Sequence, residues 1–290
     1  MKDINELKAL IRLIDEPDEN LFNQVKKHIF EYGIEAVAEL ETALELTFDD
    51  GLQKRIQALI HDIQLNYTFL ELHNWAKFNY SDLLKGYMLI SRYQYPDLNP
   101  DLITREVGRI AQEVWLELNN NLTALEKVKV LNHILFDINK FGGNTANLYS
   151  PDNYYLKSLF DTHKGNPLSI GMLYIIIARS LRIPIYGVDL PRHFILAYVD
   201  ETVVPQSSDD IEDEVLFYLN PFNQGAVFTK KEIELFVKQM KLEPLVSFFK
   251  PCTNVTIIRR MINGLIESYT SNGNGDKAAE LQHIAAALES

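Results

Sequence analysis

Cysteine is nearly absent from this chain of 290 residues, which carries a single thiol at Cys252. One cysteine excludes an intrachain disulfide and any zinc site built from cysteine ligands, and it fits a reducing compartment. Excess positive charge is missing as well: Lys and Arg total 28 against 40 Asp and Glu, a formal charge of −12, with no long basic block. A phosphate backbone or an anionic membrane surface finds no electrostatic footprint here, so neither nucleic acid nor membrane is expected as a partner. Long apolar runs are also lacking. The longest, Leu168 to Ala178, is interrupted by Ser169 and Gly171 and stays far short of the ~20 residues a membrane helix needs. Lys2, Asp3 and Glu6 precede any apolar run, so no secretory h-region is expected and the reading is a soluble cytoplasmic protein. No glycine-rich phosphate loop of either common type and no His-Glu-x-x-His pattern occurs, which removes the usual support for nucleotide and zinc-protease chemistry.

What the chain does have is apolar material. Hydrophobic residues make up 47% of it, and at about 150 residues per domain the length suggests two folding units. From residue 3 to about 65 they recur at helical spacing, as Ile4, Leu7, Leu10, Ile11 and Ile14, then Leu21, Val25 and Ile29, then Leu52, Ile56, Leu59 and Ile63. Pro17-Asp18, Gly33 and Asp49-Asp50-Gly51 punctuate these helices, and the short connections predict a HEAT-like antiparallel array over residues 1–75. A second helical stretch runs from Ser81, read as an N-cap, to about Lys140. Within it Thr123 and Glu126 form a capping-box signature.

The pattern then changes. Residues 141–153 hold two glycines, three asparagines and a proline, a composition that predicts a structured loop with no regular element. A short helical segment follows near Tyr154 to Phe160. At Gly165-Asn166-Pro167 the asparagine can cap and the proline can occupy the first helical position, predicting a helix apolar nearly all the way round and therefore enclosed. Strand-like segments come next at Ile183–Leu190, His193–Val199 and Val215–Leu219. Between the last two, five acidic residues after residue 208 predict a mobile, solvated loop. Residues 230–290 return to helix, with a tetratricopeptide-like pair at Val255–Tyr269 and Asp276–Leu288. The fold class expected is α+β and mostly helical, with a small antiparallel sheet packed on a central helix.

Four segments gather around that helix: the loop Phe141 to Asn153; Gly165-Asn166-Pro167-Leu168-Ser169; Gly187-Val188-Asp189-Leu190-Pro191-Arg192-His193-Phe194; and Tyr218-Leu219-Asn220-Pro221-Phe222-Asn223-Gln224-Gly225. In this order they resemble the SirB-type branch of the transglutaminase-like superfamily over roughly residues 77 to 225. The resemblance implies a papain-like core over residues 76–229, flanked by helical extensions. It also implies that active relatives place a cysteine at the start of the central helix, a histidine on an adjacent strand and an Asp or Asn on the next. Such a thiol would be activated by the helix N-terminus and the imidazole, with the third residue fixing the tautomer.

Counting back from Arg182-Ile183-Pro184, the thiol position falls on Pro167, which has no nucleophile. His193 matches the histidine and Asn220 the third residue. Ser169 is the nearby hydroxyl that could substitute, and it would need close alignment with a base. Asn144, Tyr149, Asn153, Asn166, Pro167, Pro191 and Phe222 are the expected lining of a groove. Each has a plainer reading. His193 can be a histidine satisfied near a sheet edge, Ser169 a first-turn residue, and the asparagines braces for the loop backbone. Tyr149, Tyr154 and Tyr155 can be packing residues. Asp161 and His163 lack a further clustered ligand, so no metal or other cofactor is expected, and Cys252 lies outside the core match. The functional expectation is a catalytically silent module that binds a protein or peptide, with an acyl-transferring or hydrolytic enzyme built on Ser169, His193 and Asn220 as the alternative. A purely helical scaffold with the central domain as spacer is a third.

Overall fold

The computed structural model describes residues 4–200 and 214–289. The acidic run read as a mobile loop lies outside the described residues, apart from its last member, Glu214. The chain forms two compact units that meet in sequence between Asn74 and Trp75.

In the first unit the helical spacing of apolar residues becomes α1 (Ile4–Arg12), α2 (Glu19–Tyr32), α3 (Val37–Leu46) and α4 (Asp50–Phe78). Leu7, Ile11, Ile14, Val25, Ile29, Leu40, Ile56, Leu59 and Ile63 form its core, whereas Ile4 and Leu21, from the same pattern, face solvent. Asp18 starts α2 by accepting from Asn20 N at 2.8 Å, satisfying one of the amides a helix leaves open. Arg55 donates to the carbonyls of Ile14 at 3.1 Å and Glu16 at 2.7 Å, tying the α1–α2 connection to α4.

The second unit opens with α5 (Leu83–Gln94), α6 (Pro100–Glu117) and α7 (Ala124–Asn132), the last running into a π-helical turn at His133–Ile138. Asp82, not Ser81, caps α5. Its carboxylate accepts from Lys85 N at 3.0 Å, and its carbonyl takes the indole proton of buried Trp75 at 2.7 Å, which fixes the cap in place. The capping box of Thr123 and Glu126 forms with both arms present.

Two short elements interrupt the segment expected to be wholly irregular. Gly142–Gly143 (β1) pairs in parallel with Lys164–Gly165 (β2), and Pro151–Tyr154 makes a 3₁₀ turn before α8 (Leu156–Thr162). α9 (Pro167–Ser180) then crosses the unit with every residue from Leu168 to Ala178 buried. Over it lies an antiparallel sheet of β3 (Ile185–Leu190), β4 (His193–Val199), β5 (Val215–Asn220) and β6 (Ala226–Phe228), in that order. The fourth strand has three residues, too few for a composition signal. α10 (Lys230–Gln239), α11 (Asn254–Ser271) and α12 (Gly275–Ala286) complete the unit, which is α+β and mostly helical as expected.

The sheet has two covered faces. Val188, Leu190, Ile195, Ala197 and Tyr218 join Ile233 and Val237 of α10 and the aromatic pair Phe248 and Phe249 in one layer. On the other side Phe194 sits against α9 at Gly171, where an added Cβ would come within 2.8 Å of its ring. Strand alternation thus assigns odd-numbered residues of β4 to the α10 side and even-numbered ones to the α9 side.

Candidate functional site

At the N-terminus of α9 the sequence Gly165-Asn166-Pro167-Leu168-Ser169 builds a closed cap. Asn166 Oδ1 accepts from Ser169 N at 2.8 Å, and Ser169 Oγ accepts from Asn166 N at 2.9 Å. The serine hydroxyl in turn donates to Asn166 O at 3.2 Å. Ser169 is fully buried, with its oxygen used as donor and acceptor by Asn166 and the buried Tyr87 side chain lying beside it. Pro167 occupies the first helical position, where its missing N–H costs nothing.

His193 stands elsewhere. It begins β4, opposite Leu190 across the two-residue turn Pro191-Arg192, and its ring meets Phe236 of α10 edge-on at a centroid distance of 4.6 Å. That contact, with the strand alternation, puts the imidazole on the α10 side of the sheet. Partial desolvation there holds its pKa below the ordinary 6.5. A histidine shifted down binds its proton more readily in the unfolded chain, so this contribution to stability is intact above the unfolded pKa and is lost as pH falls through that value. His193→Gln should therefore flatten the decline of Tm below about pH 6.5, and an NMR titration should give His193 a midpoint below that of a random-coil histidine. A midpoint above it would contradict the desolvated placement.

Asn220 is also engaged. Its side chain starts the 3₁₀ turn Pro221–Asn223, accepting from Phe222 N at 3.1 Å and Asn223 N at 3.2 Å. Among the described residues no hydrogen bond joins Ser169, His193 and Asn220. An imidazole can act as general base only within hydrogen-bond reach of the proton it takes. Burial pushes the Cys252 thiol pKa up to about 12, which disfavours the reactive thiolate.

The remaining motif residues cluster around the loop. Asn153, only 3% exposed, donates from Nδ2 to the carbonyls of Asn147 at 2.6 Å and Leu148 at 3.3 Å, and accepts from Asn144 Nδ2 at 2.9 Å. Asn144 N bonds Gly165 O at 2.8 Å, and Asn166 N reaches Asn153 O at 3.4 Å. The three asparagines thus connect the loop to the start of α9. Phe222 packs over Gly143 and Pro191 turns the β3–β4 hairpin. Of the three tyrosines, Tyr155 is buried and Tyr154 packs on Gly264, whereas Tyr149 is 79% exposed at the loop tip. Its carbonyl accepts from Ser268 Oγ at 2.6 Å. Asp161 pairs with Lys157 and His163 donates to Asn139 O, so neither joins His193. Among the described residues no group of three or more His, Cys, Asp or Glu is placed to hold a metal.

Two connections carried no sequence signal. Asn132 donates to Gly225 O at 3.1 Å and accepts from Tyr174 OH at 2.9 Å, joining α7, α9 and the turn after β5. Arg260 of α11 pairs with Asp189 and donates to Leu190 O at 3.0 Å, fixing the end of β3. Both span more than 40 residues of sequence, and neither partner type is unusual by itself.

A buried helix capped at Asn166, crossed by an antiparallel meander and fronted by an asparagine-braced loop, makes up the helix-on-sheet core of the second unit. The chain belongs to the transglutaminase-like superfamily, whose family model matches residues 101–263. It is 28% identical over 203 residues to a UPF0162 protein of Xylella fastidiosa strain 9a5c, a match covering 68% of each chain. It is 27% identical over 165 residues to F-box only protein 21 of Mus musculus, covering 57% of this chain and 24% of the mouse protein. The human protein of the same name is 31% identical over 137 residues, covering 47% of this chain and 20% of its own length. No solved structure matches the chain. No described helix is long and apolar enough to cross a membrane.

Proposed function

We propose that this chain is a catalytically silent member of the superfamily, of the SirB type, acting in the cytoplasm as a protein- or peptide-binding module. One observation carries the reading: the Ser169 hydroxyl is used up inside its own helix cap while the only motif imidazole, His193, packs on Phe236 beyond the sheet. A proton acceptor on the far side of a sheet cannot activate a hydroxyl on the near side, and Pro167 supplies no substitute.

The binding half of the proposal rests on the loop. The carbonyls of Asn147, Leu148 and Tyr149 are held by Asn153 and Ser268, yet the Leu148 and Tyr149 side chains are 51% and 79% exposed. A fixed backbone presenting Leu and Tyr gives a partner an anchor whose ordering cost is already met. The match to a quarter of the mouse F-box only protein 21 supports use of this fold as one part of a longer chain. In this reading the first unit, a HEAT-like array, and the C-terminal helix pair add binding surface.

The enzymatic half is tested by assaying acyl transfer, amidase and peptidase activity on a broad substrate panel. No turnover above the buffer rate is expected. Robust turnover abolished by His193→Ala would overturn the proposal.

A further inference from the structure

α10 has a second face. Ile233 and Val237 enter the sheet layer, while Lys230, Glu234 and Lys238 of the helix, with Lys241 just beyond its end, form the other edge. After Gln239 the chain turns, with Lys241 in the left-handed region and Leu242 N bonded to Val237 O at 3.1 Å. It returns past Pro244 into a 3₁₀ turn at Val246–Phe248, anchored where Tyr218 OH donates to Phe249 O at 2.8 Å.

Helix and returning strap border a cavity of about 680 Å³ that is open on one side, within the range of small-molecule sites. Val237 and Phe249 lie beneath it with almost no surface of their own, and Leu242, Pro244 and Val246 form its apolar wall. Val246 keeps 55% of its surface in solvent, an apolar wall left partly uncovered. The rim carries three lysines and one glutamate, an excess of positive charge on a chain of net charge −12. The Lys230 ammonium lies 5.2 Å from the centre of the Phe249 ring, so the cation sits beside the aromatic beneath the cavity.

We propose that this cavity binds a small amphipathic carboxylate, with a medium-length aliphatic body on Leu242, Pro244 and Val246 and its anionic head at Lys238 and Lys241. An apolar wall selects against a bare inorganic anion, a lysine rim selects against a cationic amphiphile, and the acidic chain as a whole repels a polyanion. The inference is independent of the reading of the α9 site, since none of these residues belongs to it.

Isothermal titration of the full chain with sodium decanoate at low ionic strength, below micelle formation, tests it. Saturable sub-millimolar binding is expected, at least tenfold tighter than decan-1-ol, decyltrimethylammonium or inorganic phosphate. Lys238→Glu with Lys241→Glu, both at exposed positions, should weaken decanoate at least tenfold, and Val246→Asp likewise. Lys238→Gln with Lys241→Gln serves where the charge reversal disturbs folding. Non-saturable uptake, equal affinity for decan-1-ol, or binding unchanged in these variants would overturn the proposal. Binding of an acidic peptide in place of decanoate, lost in the same variants, would also overturn it and assign the surface to a protein.

Discussion

Alanine at Gly225 is expected to destabilise the second unit by about 4 kcal/mol, the sum of a left-handed backbone penalty and a broken polar junction. Gly225 has φ +70°, and a Cβ there would lie 2.0 Å from Asn132 Oδ1. Asn132 must move, which removes the acceptor of the buried Tyr174 hydroxyl and the donor to Gly225 O. Gly273→Ala separates the two contributions. It shares the positive φ, at +78°, but nothing lies within 4 Å of its Cβ position, so it should cost only the backbone part, about 1–2 kcal/mol. Urea unfolding of both variants gives the comparison, and equal losses would refute the junction. Asn132→Ala combined with Gly225→Ala should fall short of additivity, because the first change removes the atom with which the second collides.

Asn153→Leu is expected to cost about 3 kcal/mol, a fall in Tm of roughly 6–12 °C for a unit of this size. The side chain makes three hydrogen bonds from a nearly closed position, and leucine leaves Asn144 Nδ2 and two carbonyls without it. Asn144→Ala removes only one of these bonds and should cost about 1 kcal/mol. Limited proteolysis offers a second readout: cleavage between residues 144 and 150 should accelerate in Asn153→Leu well beyond the change in global stability. A loop equally resistant in both proteins would show that Asn153 does not brace it.

The sequence was informative at one of these two sites, Asn153, and not at the other. The cap at Asn166-Pro167, the box at Thr123 and Glu126, and the bracing asparagines were legible because each acts over a few residues, and short polar side chains have a limited set of local backbone partners. Asp82 displaced Ser81 as cap for a reason one residue away in sequence but dependent on the Trp75 indole. The Asn132–Gly225 and Arg260–Asp189 links were not legible, since long-range pairs between ordinary residues leave no pattern.

The side of the sheet on which His193 sits was hidden for a different reason. From Phe194 to Val199 every residue of β4 is buried. A strand covered on both faces shows no alternation to say which side chains meet α9 and which meet α10. The motif spacing alone was therefore compatible with an imidazole facing the central helix, and only packing against Phe236 distinguishes the arrangements.

In the proposed function, silence follows from the placement of His193 and Ser169 as well as from the missing sulfur. Pro167→Cys tests this most directly, assayed for acyl transfer and amide hydrolysis between pH 6 and 9 after circular dichroism has shown the fold intact. No turnover above the wild-type background is expected, because the new thiol finds no imidazole within reach. Turnover in Pro167→Cys that disappears when His193 is also replaced by alanine would contradict the proposal, revealing a catalytic arrangement complete except for its nucleophile.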